Sequence, residues 1–545
     1  MEESESPSPS PSSSRRSKKA ELSNEANATG NGGSFGSVND DLLQNILARL
    51  PARSFASAAC VSKSWSSVCN RILTRPKLSS ALSLNPSLSD AVDEVLQKVL
   101  CEPIRPHFAI VNVGSGFDLE KIMHLSIMQI GKTLGSNIPV IVTVPNGIIG
   151  RDALTDEFKE VKWGALFSGF EGESYARNVN EGIVLTVGYL PGLKVEAIPL
   201  RRPTPTRRPS TQCVDDFIKD IKEYSASVSN YPFPVGIILF GEANADMNSV
   251  MEKLDCALPR DTVIAGDERG CFMYRSGNAK RNLSVNLDAI ALVFAQDRDG
   301  SSGTITFHVA LSNGVSPVGT TYKAASVRTS STDCSTWLTA KREGQQEVLD
   351  GQSILDDVNN LLENHIASPD LYIGVIKNRK VSVEGEKPTP RSCLSYHGVV
   401  GKGHFVLDRG DEEYLYVDGT GVRTGDIFQF YYCDPNAAQA SVAKVHDTLK
   451  NIKLKGEGNN SCVFGGLIFA CYGRGESFFA RHNVDSYPLL ECFPGLPVAG
   501  VFCGGEIVRP FTTMSSQEGS RVNCCLHVYS SVYLVMSYTP PSVEC

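Results

Sequence analysis

Apolar positions recur along this chain with two different periods, and the change between them divides it. From Asn39 to about Leu73 (NDDLLQNILARLPARSFASAACVSKSWSSVCNRIL) the period is helical, with Leu43, Ile46, Leu47 and Leu50 at i, i+3, i+4 and i+7. Asn39 stands where it caps that helix, and Asp40 and Asp41 put negative charge at its positive end. Pro51 has no amide proton for the ladder and stops it. A second series, Ala58, Val61, Trp65, Val68 and Ile72, completes two or three short helices around a small core. So few residues leave apolar surface uncovered, and such surface asks for a partner. Ala91, Val92, Val95, Leu96 and Val99 predict a further helix, closed by Pro103 and Pro106.

From Phe108 the texture changes. FAIVNV (108–113) and IPVIVTVP (138–145) are short apolar runs expected of buried strands, with a helical pattern through Ile122, Leu125, Ile130 and Leu134 between them. Strand, helix and strand within about 35 residues is the span of a βαβ unit. GALFSGF (164–170), IVLTVGYL (183–190), LKVEAIPL (193–200), VGIILFG (235–241) and TVIAGDE (262–268) read as strands, with helices at 214–227 and 245–254. DAIALVFAQD (288–297) and GTITFHVALS (303–312), joined by a Gly/Ser turn, predict a hairpin. Residues 326–350 are polar, and Leu355, Val358, Leu361, Leu362 and Ile366 mark a helix. LYIGVIK (371–377), HFVLD (404–408), EYLYVDG (413–419) and DIFQFYYCD (426–434) read as strands. A helix at 437–451 precedes strands at 465–471, 499–503 and 532–538. No short-period repeat is present.

These patterns predict an α+β, mixed α/β chain: a short all-helical segment, then a large mixed α/β domain in two halves. The expected boundaries are a disordered Ser/Pro-rich tail (1–36), the helical segment (37–80), a helical linker (81–106) and α/β halves at 107–285 and 286–545. Arg15, Arg16, Lys18 and Lys19 in the tail read as solvated charge or as a nuclear import signal. RRPTPTRRPST (201–211) reads as a loop or insertion.

Composition narrows the class. The 545 residues are 41% hydrophobic and 21% charged, as in a soluble globular protein. A formal net charge of -8 argues against a nucleic-acid binder. No apolar run approaches the ~18 residues of a membrane helix, and the polar N-terminus carries no apolar leader. Sixteen cysteines are scattered without a CxxC pair, which predicts reduced thiols in a cytoplasmic or nuclear protein. Clustered metal ligands are absent; His397 and His404 read as loop or strand histidines. Neither a metal nor a cofactor is expected.

Two glycine-rich turns carry the most chemistry. Cys471 leads into Tyr472-Gly473-Arg474-Gly475, and Cys503 into Gly504-Gly505-Glu506. Glycine lets the backbone turn sharply and approach a ligand. Arg474 offers a fork of donors to a carboxylate, and Glu506 complements an ammonium, so the two turns together suit a small zwitterion such as an amino acid. The plainer alternative is a pair of ordinary turns with Arg474 bound to Glu506. No nucleophile elbow, dinucleotide fingerprint, phosphate loop or triad is recognisable, so a non-catalytic protein is expected.

The helical segment resembles the F-box. Asp41, Leu42, Leu43, Ile46, Leu47, Leu50, Pro51, Val61 and Trp65 follow that family's pattern; Val38 and Asn39 replace its usual Leu-Pro entry. The resemblance implies docking on the Skp-type adaptor of a cullin-RING ubiquitin ligase, with Leu43, Ile46, Leu47, Leu50 and Pro51 on the adaptor and Val61 and Trp65 supporting them. A helical hairpin capping the larger domain is the alternative. FACYGRG (469–475) and GVFCGGEI (500–507) resemble the FIST sensory family, and the α/β run from Phe108 is similar to its N-terminal part. This implies that Gly473, Arg474, Gly475 and Glu506 meet a small, amino-acid-like ligand. The expected function is a substrate-recognition subunit that gathers adaptor, cullin and RING proteins on one side and an unidentified protein substrate on the other. A small-molecule sensor or scaffold without a ligase role is the alternative, and a cytosolic α/β enzyme a further one.

Overall fold

Three short helices open the computed structural model, which describes residues 39–541 except 136, 165–179, 203–210, 244, 278–286, 301–302, 331–334, 363–369, 382–388, 404–412 and 510–524. The N-terminal tail, nearly all of GALFSGF and of the basic insertion, HFVLD and His404 lie outside the described residues. The helices are α1 (Asp40–Leu47), α2 (Ala52–Ala59) and α3 (Lys63–Ile72). Asn39 caps α1, its side chain accepting from the Asp41 amide at 3.2 Å. Ser62 caps α3 in the same way, accepting from Trp65 N at 3.1 Å. Leu43, Leu47, Phe55, Ala58, Val68 and Cys69 close a small core between the three.

This core does not stand apart. The Ala52 amide donates to Leu100 O at 2.9 Å, and the Tyr189 hydroxyl donates to Leu73 O at 2.7 Å. Arg53 Nη2 donates to Thr133 Oγ1 at 3.3 Å. The segment after α3 runs directly into a strand, β1 (Lys77–Ser83), and only then into helix α4 (Leu88–Val99). The expected helical linker is therefore part of the body, with Ala91, Val92 and Val95 wholly buried.

The body has two sheets. The larger, in order, holds β1, β6 (Ile183–Tyr189), β2 (Phe108–Val113), β3 (Val140–Val144), β9 (Val263–Arg275), β8 (Gly236–Glu242), β10 (Leu287–Gln296) and β7 (Leu193–Arg201). Two short strands, β20 (Glu506–Arg509) and β21 (Cys525–His527), branch from β9. The smaller sheet holds β11 (Thr304–Ser312), β22 (Ser531–Thr539), β18 (Cys462–Cys471), β19 (Val498–Cys503), β4 (Gly147–Arg151) and β5 (Phe158–Lys162). Parallel pairs β2–β3 and β8–β9 enclose helical segments that the periodicity predicts, and β18–β19, also parallel, enclose two short helices, Glu476–Phe479 and Tyr487–Cys492, that it does not. Phe108 and Phe294 from the larger sheet meet Phe307, Leu467, Phe469 and Val501 from the smaller in one buried cluster.

The two halves expected from the sequence share strands. β4 and β5 come from the first half yet complete the smaller sheet, while β20 and β21 come from the second yet join the larger. The expected hairpin of 288–297 with 303–312 does not form: β10 pairs with β7 and β8, and β11 pairs with β22 in the other sheet. The chain changes layers between β10 and β11, which a turn pattern alone does not distinguish from a hairpin.

A closed barrel follows β11. It consists of β12 (Val315–Ser330), β13 (Ser335–Arg342), β16 (Tyr414–Asp418), β15 (Thr389–Gly403), β14 (Leu371–Val381) and β17 (Ile427–Cys433). Tyr322, Leu338, Val375, Phe428 and Phe430 fill it, with Ile354 and Val358 of the helix Gly351–Leu362. Arg269 Nη1 on β9 meets Asp418 Oδ2 on the barrel at 2.8 Å, and Ser395 Oγ donates to Asn248 Oδ1 at 3.0 Å, fixing barrel to body.

Candidate functional sites

The first candidate is the outer face of the helical segment. In α1 two apolar stripes lie about 100° apart, each an i, i+4 pair. Leu43 and Leu47 face inward, at 6% and 1% exposure, while Leu42 and Ile46 face solvent at 55% and 50%. Val61, in the turn between α2 and α3, is 64% exposed. The expectation that Leu43 and Leu47 lie on the adaptor is thus corrected: Val68 and Cys69 of α3 take that stripe into the core. Leu50 and Trp65 pack half-buried against the same core, and Pro51 is exposed ahead of α2. Of the expected set, Ile46, Pro51 and Val61 are exposed. Leu42 joins them; it stood in the family pattern but not among the expected contacts.

The second candidate is the pair of glycine turns. They do meet: β18 and β19 are parallel neighbours with Cys471 opposite Cys503, and the Tyr472 amide donates to Cys503 O at 2.8 Å. Carboxyl ends of parallel strands are where open α/β sheets bind ligands. A Cβ on Gly473 would lie 2.6 Å from the Tyr529 ring, and Gly475 has φ +90°, so both positions demand glycine for local reasons.

Arg474 is not available to a ligand carboxylate. Its side chain is wholly buried, with Nη2 2.7 Å and Nε 3.0 Å from Asp485 Oδ1. Nη1 donates to Tyr529 O at 2.9 Å and Nη2 also to Ser312 Oγ at 3.1 Å. The guanidinium therefore ties the first turn to the start of β22 and the end of β11. The alternative pairing with Glu506 is not found either. Asp485, eleven positions on, sits outside both motifs and had no signal in the local pattern.

Nearby, the Ser486 amide donates to Glu160 Oε1 at 2.8 Å, and burial together with the Asp485 carboxylate pushes Glu160 up to about 7. Lys162 Nζ donates to Arg474 O at 2.7 Å and lies 4.6 Å from the centre of the Tyr472 ring.

Glu506 is different. It is fully buried on β20; its Oε2 accepts from Ser530 Oγ at 2.7 Å and from the Ser530 amide at 3.2 Å, while Oε1 meets no donor. Burial raises its carboxyl well above the ordinary range, as it raises the Cys471 and Cys503 thiols. His397 on β15 has Nδ1 3.1 Å from Asp418 O and is pushed down to about 4 by burial. Among the described residues no group of three or more His, Cys, Asp or Glu side chains is arranged to hold a metal ion. No described helix is long and apolar enough to cross a membrane.

Comparison with known proteins matches both sites. Residues 37–75 match the F-box domain family, and residues 410–509 match the FIST C domain family. The second match contains both glycine turns. The chain is 45% identical over 514 residues to an F-box/LRR-repeat protein of Arabidopsis thaliana, covering 92% of this chain and 93% of that protein. The described residues of this chain form two sheets and a barrel rather than a stack of leucine-rich repeats.

Proposed function

The chain belongs to the F-box protein family, and from that premise we propose that it is the substrate-recognition subunit of a cullin-RING ubiquitin ligase. An F-box implies binding to a Skp-type adaptor. The observation that carries the proposal is the exposed apolar stripe of Leu42 and Ile46 on α1, with Val61 also exposed in the turn before α3, although the core of the segment is complete. Exposed apolar side chains of this size, grouped on one short segment, favour a protein partner. The adaptor links the chain to cullin and RING subunits, whose conjugating partner carries out the chemistry. This chain contributes proximity, raising the effective concentration of substrate lysines beside the charged enzyme.

The α/β body then selects the protein substrate, or senses a small ligand that alters selection. Support for a ligand comes from the unpartnered Glu506 Oε1 beside two glycine turns at strand carboxyl ends. With Arg474 held by Asp485, the arginine half of the zwitterion site is withdrawn from the proposal. The contacts of α2 and α3 with the body make the helical segment a fixed arm, so a change in the body is felt at a defined distance from the adaptor.

Co-purification of the full chain with a Skp-type adaptor, cullin and RING subunit tests the ligase role. Recovery of all four together is expected. A full chain that folds but leaves the adaptor behind would overturn it and favour a sensor without a ligase role.

A further inference from the structure

Three adjacent strands carry polar side chains in a single row. Glu506 on β20 stands opposite Asp267 on β9 and opposite His527 on β21, both in antiparallel register. Directly opposed residues of antiparallel strands project from the same face. All three are more than nine-tenths buried. The row nevertheless does not satisfy itself: Glu506 Oε1 has no partner, and neither ring nitrogen of His527 has one. Asp267 Oδ1 accepts from the Arg269 amide at 3.1 Å. The Tyr396 ring of the barrel lies 6.2 Å from His527, so the row looks into the junction between barrel and body.

We propose that this row is the binding site of a small primary ammonium cation, held by Asp267, Glu506 and His527. The proposal rests on the ligand-sensing reading above and names its chemistry. Strands lie about 4.8 Å apart, so the outer two members of the row are about 10 Å apart at the backbone. A group centred on Glu506 is then within reach of both neighbours. A primary ammonium has three N–H donors diverging from one atom, and the row offers three acceptor side chains. The one arginine in the adjoining turn does not compete, since its charge is matched by Asp485.

The electrostatics agree with an arriving cation. Burial pushes Asp267 up to about 7 and His527 down to about 4, as it raises Glu506. Burial thus favours the neutral forms of Asp267, Glu506 and His527 in the free protein. A bound ammonium stabilises the Glu506 carboxylate, whose proton leaves to solvent, and His527 stays neutral and presents a ring lone pair.

Titration calorimetry of the full chain with n-butylammonium, glycine and butyrate tests this. Saturable binding of n-butylammonium is expected, with butyrate silent and with net release of protons from the carboxyls of the row, read by repeating the titration in buffers of different ionisation enthalpy. Glu506→Gln is isosteric with the neutral acid and keeps the fold, checked by circular dichroism; it is expected to weaken binding about tenfold or more. Asp267→Asn is the second variant, and retains the acceptor for the Arg269 amide. Binding of n-butylammonium that both variants leave unchanged overturns the assignment. Glycine binding without n-butylammonium binding overturns the cation site but keeps the sensor reading, and silence from every probe overturns both.

Discussion

Arg474 and Asp485 form an ion pair from which solvent is wholly excluded, 2.7 Å from Nη2 to Oδ1. Asp485 Oδ1 also accepts from Ser531 Oγ at 2.8 Å, so one carboxylate joins the turn after β18 to the first residue of β22. Removing one member of such a pair strands the other charge in the interior. Arg474→Met is expected to cost about 3–5 kcal/mol, measured by urea unfolding, and Arg474→Met/Asp485→Leu to recover part of it. Unchanged stability in the single variant would make Arg474 a ligand-binding candidate again.

The glycines of that turn are fixed by space and by backbone. Gly473→Ala drives a Cβ against the Tyr529 ring, and Gly475→Ala places alanine at φ +90° beside Lys162 Cδ at 2.9 Å. Each is expected to lower stability by about 1–3 kcal/mol. Thermal unfolding checks this; a variant as stable as the wild type would contradict the contact described.

Glu160 makes stability depend on pH in a direction opposite to that of an ordinary salt-bridged acid. Its folded value of about 7 lies above the unfolded carboxyl, so between roughly 4.5 and 7 the native state binds the extra proton. Its contribution to stability therefore falls as pH rises through that window and levels off above it. His397 and His527, lowered to about 4, work the other way, gaining stability as pH rises toward 6.5. The Glu160 part is isolated by comparison: Glu160→Gln, measured from pH 5 to 8 by chemical unfolding, is expected to gain on the wild type as pH rises. A constant difference across that range would contradict the assignment.

How much of this was legible beforehand depends on the kind of signal. The period of α1 was plain, but a helix with Leu42, Leu43, Ile46 and Leu47 offers two apolar stripes, and only the placement of Val68 and Cys69 on α3 decides which is inside. The barrel strands β12 and β13 were missed because they are rich in Ser, Thr, Lys and Arg, and even the buried positions of β13 include Ser335, Thr336 and Thr339. β5, FKEVK, was missed because it has no fully buried residue, and β4, GIIGR, because a five-residue strand with two glycines gives little pattern. The two glycine turns were found and do meet, since strand-turn grammar is local. Asp485 was not, because nothing local links it to Arg474. The Asp267–Glu506–His527 row is a matter of register among three strands, with Asp267 more than 230 residues from the other two in sequence, which no window along the chain displays.

The inward and outward stripes of α1 should respond differently to the same change. Leu47→Lys buries a charge in a core of six residues and is expected to unfold the helical segment, seen as reduced helical ellipticity and protease sensitivity between 39 and 75. Ile46→Lys, one position earlier and half exposed, is expected to leave the fold within about 0.5 kcal/mol of wild type.

If the open face is the adaptor's seat, the most direct measurement is the affinity of the full chain for a Skp-type adaptor with Leu42→Lys/Ile46→Lys against wild type. Both side chains are half exposed, so the variant keeps its fold, to be confirmed by circular dichroism. Taking two apolar side chains out of the interface and placing two charges there predicts affinity weaker by about 100-fold or more. Equal affinity for wild type and variant would contradict the proposed seat.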